Sequence, residues 1–181
     1  MRLPYSVLEL RHRYPYAPEY VFNWWTELEP RGYVGRRLKS VRVIERTGVG
    51  ARVVTEWSYL GFRFKMPETL EIKSDRKWIW YSSFLGIPAV ETFSLKEEGN
   101  GCELTIHSEM RPRSPLRKLL FLIVGWNWRR EDRLEWEEAF SASETELSSI
   151  ASRASDQVQR TTSVQREHTS DGTDPHTLRP A

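Results

Sequence analysis

LKSVRVIERTGVGARVVTEWSYLGFRFKMPETLEIKSDRKWIWYSSFLGIPAVETFSLKEEGNGCELTIHSEM, residues 38–110, is one pattern repeated. Short runs rich in β-branched and aromatic residues alternate apolar with polar. Gly, Asn or Asp turns separate them. Alternation with period two is the mark of a strand with one covered face. The runs 39–46, 51–60, 62–73, 76–85, 89–97 and 102–110 read as six consecutive strands. Glu98-Gly99-Asn100-Gly101 is a hairpin turn, and Thr47-Gly48-Val49-Gly50 another.

Working outward, residues 6–14 (SVLELRHRY) alternate in the same way and predict a first strand. Ala17-Pro18-Glu19 opens a helix, with Pro in the first position, where its missing N–H is not needed. Val21, Phe22, Trp25 and Leu28 give that helix an apolar face, and Pro30-Arg31-Gly32 ends it. A second short helical turn is expected before residue 38. On the other side, Ser114 is placed to cap a long apolar helix that starts at Pro115 and runs to about 148. The expected fold is α+β: a seven-stranded curved antiparallel sheet around a long C-terminal helix, with two short helices after the first strand.

From Ser149 the composition changes. The stretch is Ser/Thr/Gln/Asp-rich, lacks aromatic residues, and balances Arg153, Arg160, Arg166 and Arg179 against Asp156, Glu167, Asp171 and Asp174. Such a segment buries too little apolar surface to offset its ordering entropy. The domains are therefore expected to be 1–148, the folded domain, and 149–181, a disordered polar tail.

The charge balance excludes some partners. Lys+Arg number 27 against 25 Asp+Glu, a formal net charge of +2, which does not suggest nucleic acid. A single cysteine, Cys102, cannot form an intramolecular disulfide, and the four histidines show no ligand spacing, so no metal site is expected. The first residues lack the apolar run of a signal peptide, and the run Leu119 to Trp128 is short for a bilayer. A cytoplasmic, soluble protein is expected, with no cofactor.

The order of elements resembles that of the START-like superfamily, the helix-grip fold of birch-pollen allergens, polyketide cyclases and lipid-transfer domains. Three landmarks carry the resemblance. Ala17-Pro18-Glu19-Tyr20-Val21-Phe22 is similar to the opening of its first helix. Thr47-Gly48-Val49-Gly50-Ala51-Arg52 is similar to its Gly-x-Gly turn. Glu98 to Thr105 is similar to its Gly-Asn-Gly hairpin, with Cys102 where Thr is common. The match spans about residues 5–148. It implies a cavity between sheet and helix for a small hydrophobic ligand: a lipid, a quinone or a polyketide-like ring. It implies no shared catalytic signature.

Strand phase selects the residues that face such a cavity. Thr55, Trp57 and Tyr59 share one face with Val53. Phe64 and Met66 lie in phase with Phe62, Glu68, Leu70 and Ile72. Trp78, Trp80, Ser82 and Phe84 form the next row. Phe93 follows with Glu91 and Leu95, then Leu104 and Ile106 with Cys102, Ser108 and Met110. From the helix, Leu120 and Ile123 lie on one stripe with Leu116, Leu119, Asn127, Arg130 and Leu134. The large rings either fill this interior as core or wall a usable space. Glu68 and Glu91 are the chemical candidates. A buried carboxylate tends to take up a proton, and a pair can act as acid and base.

Three functions remain open on this reading. One is a carrier or sensor. Another is a cyclase or dehydratase using an inner carboxylate as general base. The third is a protein that docks on a membrane or partner through the apolar surface 119–128. Arg129, Arg130 and Arg133, and a second cluster of Arg31, Arg36, Arg37 and Lys39, would flank that surface.

Overall fold

The structure, a computed structural model, describes residues 6–28, 37–59, 61–84 and 86–170. Seven strands form one antiparallel sheet: β1 (Ser6–Tyr14), β2 (Leu38–Thr47), β3 (Gly50–Tyr59), β4 (Phe62–Ser74), β5 (Lys77–Phe84), β6 (Ile87–Glu98) and β7 (Gly101–Met110). Their order is β1-β7-β6-β5-β4-β3-β2. The last six make a meander, because two-residue turns can join only neighbouring antiparallel strands. β1 adds to the far edge, with Leu8 opposite Ser108 and Leu10 opposite Ile106. Helix α1 (Pro18–Thr26) carries the chain from that edge to β2 at the other. The second short helix expected before residue 38 lies outside the described residues.

Helix α2 (Pro115–Ser170) starts as its sequence predicts. The Ser114 hydroxyl accepts the Arg117 N–H at 3.2 Å, and its carbonyl accepts the Lys118 N–H at 3.0 Å. The helix does not stop near 148 but continues to Ser170. Helical hydrogen bonds close within the segment, and Ala, Gln, Glu and Arg in 150–170 are good helix formers even without apolar partners. Residues 171–181 of the expected polar tail lie outside the described residues. Chain contacts divide the protein into Met1–Glu144, which holds the sheet, α1 and the first part of α2, and Thr145–Ala181.

The core of the first unit is built on rings. Trp78 is fully buried and stacks on Phe93, with ring centres 5.1 Å apart and planes 11° apart. Phe22 of α1 meets Trp78 edge-on at 5.5 Å, and Trp136 of α2 meets Phe93 at 5.6 Å. These are the offset and edge-to-face arrangements that ring quadrupoles favour. Leu104 and Ile106 of β7 are buried beside this layer. Tyr14 closes the β1 edge: its hydroxyl is 2.7 Å from the Ser143 hydroxyl and accepts the Trp25 indole N–H at 3.3 Å.

Strand phase is obeyed, but not every in-phase side chain is covered. Phe62 shares a face with Phe64 and Met66 yet is 76% exposed, because it sits at the tip of the β3–β4 hairpin. The stripe expected on α2 is not the inner one. Leu116 is 76% and Leu119 57% exposed, and Arg130 is exposed. Phe121 is buried with Ile87, Ala89 and Met110, so it is not part of an exposed docking surface. Further along, Glu135, Ala139, Phe140 and Ser143 are buried, and Asp132 and Trp136 face inward with them. This stripe has the helical spacing, but two of its members are acids, and apolar periodicity passes over it.

Candidate functional site

The concave face of the sheet, α1 and α2 enclose a cavity of about 180 Å³. Every strand from β2 to β7 contributes to its wall, because a curved sheet turns its inward-facing residues toward one centre. Of the residues selected by phase, Thr55, Trp57, Tyr59, Phe64, Met66, Trp80, Ser82 and Phe93 line it, as do Glu68 and Glu91. Trp78, Leu104 and Ile106 do not. They point the right way, but Trp78 is stacked against Phe93, Leu104 and Ile106 are buried beside that pair, and all three are core, not wall. The side chains of Leu120 and Ile123 lie outside the described ones. Sequence periodicity gives direction but not depth, so it cannot separate wall from filling.

Glu68 is held from the adjacent strand. The Thr55 hydroxyl donates to its carboxyl at 2.8 Å, and the Trp57 indole N–H lies 3.3 Å from the same oxygen. The same indole N–H is 2.8 Å from the Thr55 oxygen. Glu68 faces Val53 across the β3–β4 pair, so Thr55 and Trp57 project on its side of the sheet. Burial pushes the Glu68 carboxyl up to about 7, against these two hydrogen bonds, which favour the ionised form.

Glu91 lies two strands away on β6, opposite Trp80 of β5 and Ser108 of β7. At strand spacing that is about 10 Å from β4 across the sheet. Burial, then the charges of Asp132 and Glu68, hold its carboxyl well above the ordinary range. Burial also raises Asp132, to about 6, although the Arg37 charge opposes it. Three carboxyls therefore face one small space and oppose one another's ionisation.

The third acid belongs to a group that apolar phase does not reveal. Arg37, expected in a basic cluster beside the 119–128 surface, is buried. Its guanidinium is 3.5 Å from Glu135 and 3.8 Å from Asp132. Glu135 also accepts the Arg37 N–H at 3.1 Å and the Leu38 N–H at 3.3 Å, one on each oxygen. A carboxylate from α2 thus ties down the start of β2 and fixes the Arg beside the cavity. The signal in the sequence was the spacing 132, 135, 136, 139, 140. It marks one helix face that is half polar. Of the rest of the two basic clusters, Arg31 and Arg36 lie outside the described residues, and Arg129, Arg130 and Arg133 are not buried.

Among the described residues no group of three or more His, Cys, Asp and Glu is placed to hold a metal ion. No helix among them is long and apolar enough to cross a membrane. Cys102 is buried, and burial raises its thiol to about 11, which keeps it protonated.

This architecture is shared with solved proteins of low sequence similarity. The protein TTHA0849 from Thermus thermophilus superposes with a TM-score of 0.67 at 15% identity, over 80% of this chain and 99% of that one. A START superfamily protein from Mycobacterium smegmatis gives 0.59 at 11%, over 80% and 98%. Ara h 8.0201 gives 0.55 at 13%, over 80% and 98%. No protein-family model matches the chain, and no curated protein matches it. The chain has the START-like, helix-grip fold.

Proposed function

We propose that this protein binds a small hydrophobic molecule between sheet and helix, as a carrier or sensor. The supporting observation is the cavity: a wall of Trp, Phe and Met side chains with a few carboxyl and hydroxyl groups converging on it. Its size narrows the ligand. An apolar cavity of about 150 Å³ takes benzene, so 180 Å³ suits a compact ring system better than a whole lipid. Binding would desolvate the ligand against Trp57, Trp80 and Phe93, with Glu68, Tyr59 or Ser82 setting its orientation.

A second reading, a cyclase or dehydratase, draws on Glu68. A carboxyl that titrates at about 7 is matched to proton abstraction near neutral pH. Native mass spectrometry of the purified protein tests the binding reading, since a retained small molecule is expected in part of the population. An apolar fluorescent probe should also quench the wall tryptophans saturably. If the folded protein carries no ligand and takes no probe, the binding reading is wrong. Glu68→Gln then divides carrier from enzyme. Weaker binding marks a polar anchor, whereas retained binding with turnover reduced by about 10²–10⁴ marks a general base.

A further inference from the structure

Among the described residues, acids outnumber bases on the cavity wall. Glu27, Glu68, Glu91, Asp132 and Glu135 line it, and among the described lining residues Arg37 is the single base. Arg37 is already engaged with Asp132 and Glu135. Glu135 holds backbone N–H groups, and Glu68 takes donors from Thr55 and Trp57. Glu91 differs from these. It is half-buried in the cavity wall and opens onto the cavity, with no hydrogen bond or ion pair among the described residues. The charges of Asp132 and Glu68 press on it, and the rings of Trp57, Trp80, Phe93 and Trp136 share the same wall.

A carboxyl so placed needs either a proton or a positive partner. An anionic ligand would be repelled by all three acids. A neutral ligand leaves them protonated and gains only neutral hydrogen bonds from them. A cation would replace the protons on these carboxyls, and the ring faces around it would add their own attraction.

We infer that the ligand of this cavity is a compact organic cation, an ammonium or amidinium head on a small hydrophobic body, its head against Glu91 between Glu68 and Asp132. The inference rests on the binding reading above and names the ligand class for that site.

Three probes of similar size test it on the full-length protein: benzylammonium, benzyl alcohol and benzoate, followed by tryptophan fluorescence and calorimetry between pH 5 and 8. Benzylammonium should bind best and benzoate least. The preference for benzylammonium over the alcohol should grow with pH, as the acids facing the site lose their protons. The groups that face it are Glu27 after α1, Arg37 before β2, Tyr59 on β3, Glu68 on β4, Glu91 on β6, and Asp132 and Glu135 on α2. E91Q should shrink that preference by about tenfold or more, since it removes a charge-assisted contact. E68Q, checked by near-ultraviolet circular dichroism like the first variant, should shrink it less.

The inference is overturned if benzyl alcohol binds as well as benzylammonium at pH 8, and the binding reading then survives without it. It is overturned equally if folded E91Q keeps the full preference. If none of the three binds, the inference falls. The native mass spectrum then decides separately whether the binding reading falls with it.

Discussion

Glu68 is a carboxyl that folding moves from 4.5 to about 7. A raised carboxyl binds its proton more tightly in the folded chain than in the unfolded one. Its contribution to stability is therefore greatest at low pH and is lost as pH rises from about 4.5 through 7. The full loss is roughly 3 kcal/mol at most, and Glu91 and Asp132 push the same way. The urea midpoint should thus fall between pH 5 and pH 8, and Glu68→Gln should flatten that fall. A wild-type midpoint that rises across this window would show that Glu68 is not held protonated. In the sequence, the phase of Glu68 with Phe64, Met66 and Leu70 already pointed it inward. Its hydrogen bonds were not legible there, because Thr55 and Trp57 reach it only through the β3–β4 register.

At the scale of elements, each strand is set by alternation and each turn by local backbone demands. Gly50 shows how tightly the two combine. Its φ is +153°, and a Cβ built there would lie 2.0 Å from the Leu70 carbonyl oxygen of β4. That contact is with backbone, so no side chain can move aside to relieve it. Gly50→Ala should cost about 1–3 kcal/mol through strain and lower the melting temperature by several degrees, at about 2–4 °C per kcal/mol for this size of chain. A melting temperature within a degree of wild type would mean that the β2–β3 turn can shift away from β4. The strands were readable because a sheet with one buried face writes a period of two into its sequence. The inner face of α2 was misread because its acids hide the stripe. Asp132 and Glu135 look like solvent residues until Arg37, about a hundred positions earlier in the chain, is folded against them.

For the whole molecule, Met1–Glu144 contains the sheet, the ring core and the cavity. Ending the chain after Ser152 should therefore change the melting temperature little, because that unit keeps its own core. A loss of several degrees would show that residues 153–181 contribute to its stability. Seven strands and a long helix capped by Ser114 followed from the amino-acid order alone, since periodicity, turn chemistry and capping act over a few residues. Depth, pairing and emptiness did not follow. The tertiary structure decided that Trp78, Leu104 and Ile106 are filling while Trp57 and Trp80 are wall. It also gathered Glu68, Glu91 and Asp132 around one space and buried Arg37 beside them. The reason is physical. Facing is a local property of the backbone, whereas a cavity and the fields inside it depend on what distant segments leave unfilled.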